Sequence, residues 1–307
     1  METIPCIFGH GPSDEVAIEE DGFKGRRCRT CGLIYISPRP LPEEIFDLYH
    51  HDKAYWPADH HLQEKPVTTL AAKHHLRILR RLHPPPASIL EIGCGGGHFL
   101  RAARDAGYEA HGIELNPMQA EYLRAKLSIP CESEPLSAST FGGRRFDIIY
   151  HVDVASHFPD PIQDFSVMRQ KLNTGGLLFF ETGNGADIDP KFYKYFSSFQ
   201  YPDHLFFFGD ATVKELLVRA GFKREHIQIR AYSTLPIRKF VSFLSARKQR
   251  SLAPSGSTTD SVPIKESAPK HTPLWKARVL HWLKYGLGRW VTSRSHPMTF
   301  LISAKNV

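Results

Sequence analysis

Apolar and polar positions change period repeatedly along the chain of 307 residues. From Ser88 onward, short apolar runs alternate with stretches whose apolar residues recur three and four positions apart. "SILEIG", "EAHGIEL", "FDIIYHV", "GGLLFFET" and "HIQIRAY" read as strands. "HFLRAARDAG", "PMQAEYLRAKL", "PIQDFSVMRQKL" and "DATVKELLVRAG" read as helices between them. Pro117 opens the second of these helices and Gly107 ends the first, both at favoured positions. Strands separated by helices of roughly ten residues or more predict a parallel sheet covered on both faces.

The flanks have a different texture. Residues 1–40 are rich in turn formers and carry Cys6, His10, Cys28 and Cys31, and predict a small separate module. Residues 41–87 read as a helical cap, beginning at Pro42-Glu43-Glu44 and stopped by the prolines at 84–86. Residues 88–307 form the main domain, with a basic insertion at 235–296. Within it, 235–250 and 274–294 are amphipathic and basic, whereas 251–273 is rich in Ser, Thr, Pro and Lys and reads as a flexible loop. "MTFLISA" (298–304) is a final strand.

Composition narrows the class without choosing a partner. The net charge of +7 permits nucleic acid, anionic membranes or acidic small molecules. Five cysteines in a chain of this length do not resemble a secreted disulfide scaffold. The N-terminus lacks the basic and apolar regions of a signal peptide, and no run is long and apolar enough to span a bilayer. A cytoplasmic location is therefore expected.

The glycines after the first strand of the main domain, in "ILEIGCGGGHFL" (89–100), require something to approach bare backbone. A P-loop needs Lys-Ser/Thr after the glycines, but His98 and Phe99 follow. A dinucleotide fingerprint needs a third glycine where His98 stands. What remains is E-x-G-x-G-x-G, set by Glu91, Gly93, Gly95 and Gly97. Glu114 ends the next strand, 21 residues after Gly93, where a carboxylate can accept from two ribose hydroxyls.

These residues resemble motif I of the class I S-adenosylmethionine-dependent methyltransferases. "FDIIYHVDVASHFPDP" is similar to the family's fourth-strand segment, with Ser156 where relatives carry Glu. "LNTGGLLFFETGN" and "YPDHLFFFGDATVKELLVRAGF" are similar to segments of a ubiquinone-methylase-like branch. The resemblance implies a doubly wound, Rossmann-like α/β fold, with a seven-stranded sheet whose last strand is antiparallel. It implies S-adenosylmethionine as cofactor, lined by Glu91, Gly93, Cys94, Gly95 and Gly97. Glu114 would hold the ribose, Leu115 and Leu136 would lie by the adenine, and His151 would face the methionine tail. Tyr55, with Tyr49 and Trp56, would cap that tail.

His157 and His204 follow the fourth and fifth strands and are the candidate general bases for a hydroxyl acceptor; the alternative for each is a structural loop tie. The C-x₂-C of Cys28 and Cys31 resembles half of the N-terminal ribbon of this branch, with Cys6 and His10 in place of a second pair, and implies structural zinc. The insertion at 235–296 is open to three readings: helices packed on the core, peripheral contact with an anionic membrane, or a clamp on phosphorylated material. The expected activity is methyl transfer to a small molecule, with oxygen favoured over nitrogen or carbon. A nucleic-acid methyltransferase is an alternative weakened by the lack of an N-P-P-Y-type motif, and a non-catalytic cofactor-binding partner protein is another. Oligomeric state is left open.

Overall fold

The computed structural model describes residues 1–51, 62–251 and 272–307. Tyr55, Trp56, the His60-His61 pair and most of the stretch 251–273 lie outside the described residues.

The main sheet contains β4 (Ser88–Ile92), β5 (Glu109–Ile113), β6 (Cys131–Glu132), β7 (Phe146–Val152), β8 (Leu172–Gly183), β10 (Ile227–Ser233) and β11 (Met298–Lys305). Its order is β10-β11-β8-β7-β4-β5-β6. β6, β5, β4, β7 and β8 run parallel, and β11 is antiparallel to both of its neighbours. The expected seven-stranded sheet with an antiparallel last strand is thus present. β4 is buried along its whole length, as a central strand covered on both faces must be.

Side chains leave each strand alternately, so the two covers of the sheet are built from alternate residues. On one face Ile148, Tyr150 and Phe179 meet α2 (Pro66–Leu82) and α3 (His98–Asp105) through Leu76, Leu79, Phe99 and Leu100. On the other, Ile149 and Phe180 meet α5 (Pro161–Lys171) and α6 (Asp210–Arg219) through Phe165, Met168, Val213 and Leu216. α4 (Pro117–Leu127) follows β5, with the Asn116 side chain accepting from the N–H groups of Met118 and Gln119. The Asp160 side chain caps α5 in the same way.

The N-terminal module is a second, antiparallel sheet: β1 (Val16–Glu20), β2 (Phe23–Arg27), β3 (Ile34–Ile36) and β9 (Phe206–Phe207). β9 comes from the main domain and pairs with β3. The module is therefore fused to the sheet's cover, where Cys6, Phe8, Leu33 and Tyr35 join the core beside α6. Arg27 donates to the Ala186 carbonyl (2.8 Å) and Arg39 to the Pro159 carbonyl (2.8 Å) across the same junction. α1 (Pro42–His50) then crosses to the carboxyl ends of the strands.

The insertion contributes α7 (Leu235–Ser251), α8 (Leu274–His281), a π-helical turn at Trp282–Gly286 and a 3₁₀ turn at Leu287–Arg289. Among the described residues, no helix is long and apolar enough to cross a membrane.

Candidate active site

In an open α/β sheet, ligands bind at the carboxyl ends of the parallel strands. Here that edge gathers the loops after β4, β5, β7 and β8. The turn after β4 carries Gly93, Gly95 and Gly97, all with positive φ. Gly93 is exposed at this edge, and a Cβ on it would come within 2.7 Å of Val154. The turn is thus a cradle that a side chain would fill. Gly97 plays a different part. It is buried, and a Cβ there would meet Leu127 of α4 at 2.8 Å. It allows α3 and α4 to close on each other and does not line the crevice, which corrects the expectation for this residue.

Glu114 stands at the end of β5, half-buried. Its Oε2 accepts from the Gly95 N–H (2.7 Å) and its Oε1 from the Asn116 N–H (3.0 Å). Burial raises its carboxyl above the ordinary range, and these backbone donors oppose that rise. A carboxylate has about four acceptor sites, so capacity remains for a diol. Beneath the turn, Glu91 is nearly closed off at 6 % exposure. Burial, and then the charge of Glu114, push its carboxyl well above the usual range, and its Oε2 has no partner among the described residues.

Four other expected residues fall differently. The Cys94 thiol is buried beside Cys131 (Sγ–Sγ 4.0 Å) and against Gly112, so only its backbone belongs to the turn. Leu115 is half-buried at the strand end, and Leu136 packs partly on the core. His151 does not reach the crevice. Strand parity sends it to the α5 face with Ile149, where it is fully buried, stacked on Phe180 (4.6 Å) and edged by Phe158 and Phe165. Neither of its ring nitrogens has a partner among the described residues.

His157 and His204 do meet, with ring centroids 4.8 Å apart. The His157 Nδ1 lies 2.6 Å from the hydroxyl of Tyr49 on α1. Burial, with Asp203 and Glu114 nearby, pushes that phenol far up, so it keeps its proton. The Asn116 Nδ2 donates to the Tyr49 carbonyl (3.2 Å), linking this corner to Glu114. Burial and the neighbouring His204 bring His157 down to about 3. His204 Nδ1 lies 2.9 Å from the Phe199 carbonyl, and burial lowers its pKa too. With Nδ1–H donating to that carbonyl, Nε2 keeps its lone pair.

The loop that carries His204 is held by the N-terminal module. Glu20 of β1 accepts from the N–H groups of Phe199 (2.9 Å) and Tyr201 (3.3 Å). Gly25 of β2 passes so close to the Tyr201 hydroxyl that a Cβ there would collide with it. The Ser156 carbonyl accepts from Leu205 N–H (2.8 Å), joining the two histidine loops.

Glu181, Lys284 and Tyr285 had little or no sequence signal, whereas Asp153 lies in the segment that resembles the family's fourth-strand motif. Asp153, after β7, adopts φ 53°, and its carboxyl is raised to about 6 by burial and by Glu181. Glu181 itself is buried on the α2 face. It takes His75 Nε2 (2.9 Å), the Tyr285 hydroxyl (3.1 Å) and Lys284 Nζ (2.6 Å). The insertion therefore plugs a cation into the sheet beside Asp153. A buried charge reveals itself in sequence only through its partner, and these partners lie about a hundred positions apart.

In the module, the ligand atoms of Cys6, His10, Cys28 and Cys31 all lie within 4.8 Å of one another. Cys6 Sγ is 3.7 Å from Cys31 Sγ and from His10 Nδ1, and Cys28 Sγ is 3.6 Å from the same nitrogen. A tetrahedral zinc with bonds of about 2.3 Å spaces its sulfurs roughly 3.8 Å apart, so the set fits that ion.

The family model for a methyltransferase domain matches residues 59–227, more than half of the chain. A ubiquinone biosynthesis O-methyltransferase of Cereibacter sphaeroides is 29 % identical over 101 residues, covering 31 % of this chain and 41 % of that protein. A 2-methyl-6-phytyl-1,4-hydroquinone methyltransferase of Synechocystis is 27 % identical over 109 residues, or 34 % of each chain. The match thus spans less than half the length of these relatives. A solved SAM-dependent methyltransferase from Archaeoglobus fulgidus is similar with a TM-score of 0.49 and 16 % identity, over 77 % of this chain and 94 % of that one. With a glycine cradle and a strand-end carboxylate at the carboxyl edge of the sheet, and with that domain over more than half its length, the chain belongs to the class I S-adenosylmethionine-dependent methyltransferases.

Proposed function

We propose that this protein transfers a methyl group from S-adenosylmethionine to a hydroxyl of a small molecule. The observation that carries this reading is the pair of imidazoles, His157 and His204, 4.8 Å apart at the strand edge beside the glycine cradle. The cofactor would rest on the Gly93–Gly95 backbone, with Glu114 accepting from its ribose hydroxyls; its sulfonium supplies an activated methyl group. The unpartnered oxygen of Glu91 beneath the turn fits a polar ligand there.

The remaining work falls to the protein's own side chains. His204, with its proton on Nδ1 facing Phe199, presents Nε2 to take the acceptor's proton. His157 is held by Tyr49 and orients the His204 ring. Aligning the acceptor oxygen contributes roughly 7–11 kcal/mol of barrier lowering in such reactions. The name of the ubiquinone biosynthesis O-methyltransferase supports oxygen as the acceptor atom. The Cys/His cluster serves as a closed structural zinc site, with no part in transfer.

The test pairs binding with turnover. Calorimetry with S-adenosylmethionine should give saturable binding, weakened about tenfold or more in Glu114→Ala, since hydrogen bonds to charged groups contribute roughly 1.5–3 kcal/mol each. Labelled methyl should pass into catechols or hydroquinones. His204→Ala should lower kcat by about 10²–10⁴-fold with cofactor affinity unchanged. Binding without transfer to any hydroxyl acceptor, or a His204→Ala enzyme of full activity, would refute the proposal.

A further inference from the structure

A groove of about 550 Å³, bounded by none of the crevice residues, lies between α2, β10 and the turns of the insertion. Arg77 and Arg81 enter it from α2, Arg230 from β10, and Arg289 from the insertion. Its floor is aromatic and fixed: Tyr285 is stacked on His74 at 3.9 Å and tied to Glu181. Gly288 packs so tightly on the Ser233 carbonyl that a Cβ would collide, which locks the insertion against β10.

Four guanidiniums converge on this one groove. Some arginines elsewhere in the chain meet carboxylates, as Arg124 meets Glu121 and Arg144 meets Glu109, and others stand singly. None of the four groove guanidiniums has a carboxylate partner among the described residues. Like charges brought together from three separate elements repel one another, and an anion between them removes that penalty. Arginine's planar fork matches phosphate oxygens two at a time.

We propose that this groove is a binding site for a phosphate-bearing anion larger than a single phosphate group, separate from the methyl-transfer crevice. Two sources present that chemistry, a soluble diphosphate and an anionic phospholipid headgroup. Trp290, 77 % exposed, lies against Arg289 (4.7 Å) and will report an anion arriving there.

The experiment uses the full chain without S-adenosylmethionine, so its outcome is independent of catalysis. Pyrophosphate is titrated at about 0.15 M ionic strength, where diffuse surface attraction is screened, and followed by calorimetry and tryptophan fluorescence. Flotation with phosphatidylcholine vesicles, with and without phosphatidylglycerol, forms the second arm. The exposed pair Arg81→Ala/Arg289→Ala should weaken whichever ligand binds by roughly tenfold or more. The control Arg145→Ala should leave binding unchanged, and melting curves should show both variants folded. Pyrophosphate binding lost in the pair assigns a soluble ligand; retention only on anionic vesicles, lost in the pair, assigns a headgroup. Binding of neither probe, or equal binding by the pair and the wild type, overturns the proposal.

Discussion

His151 leaves β7 on the α5 face with its ring on Phe180 and, among the described residues, no hydrogen bond at either nitrogen. Burial alone brings its pKa down to about 3. The unfolded chain, near 6.5, therefore takes up a proton first as the solution is acidified. The contribution of this ring to stability is whole above about pH 6.5 and is lost as the pH falls from there through about 3. His151→Leu should remove that dependence. In paired thermal melts, the midpoint of the variant relative to wild type is expected to rise as the pH drops from about 6.5 to about 4; a constant difference would show that the ring titrates normally. The resemblance placed this residue at the cofactor because it ends a strand whose neighbours do so. Strand parity decided otherwise, and parity at a strand end depends on a register that one sequence does not display.

The principal strands and helices of the main domain were legible because each repeats its apolar positions over enough residues to show a period. β1 to β3 and β9 were not. β9 is two residues, Phe206–Phe207, and pairs with Ile34 and Tyr35 far upstream. Such an element exists only because a distant strand offers an edge. That pairing makes the ribbon a support for the histidine loop, through Glu20 and the backbone of Phe199 and Tyr201. Glu20→Ala should therefore lower kcat by roughly 10–100-fold, the scale of a misplacement near 1 Å, while cofactor affinity stays at the wild-type value. Turnover at saturating S-adenosylmethionine, compared with calorimetric affinity, checks this; unchanged turnover would mean the loop holds itself.

For the whole molecule, the insertion was legible as basic and amphipathic, but its attachment was not. Lys284 is nearly buried against Glu181, whose carboxyl is held far below the usual range by Lys284 and His75 against the effect of burial. Removing the cation alone leaves a buried charge uncompensated, at a cost of about 3–5 kcal/mol. Lys284→Met should lose that much in urea denaturation, and adding Glu181→Gln should restore most of it. Equal stability of Lys284→Met and wild type would show that the insertion is only loosely laid on the sheet. The same attachment sets Arg289 across from Arg77 and Arg230, so the basic groove is a product of docking.

The order of strands and helices, the glycine cradle with its carboxylate, and the four zinc-type ligands can all be read from the chain before it folds. These are local facts, written in short spacings and in periods that a single element can carry. Folding in three dimensions was needed to bring His157 and His204 into one corner with Tyr49, to set the ribbon under their loop, and to make the insertion bury a lysine and gather four arginines. Each of these depends on which surfaces meet across long stretches of chain, and that is settled by packing, register and the cost of leaving a buried charge alone.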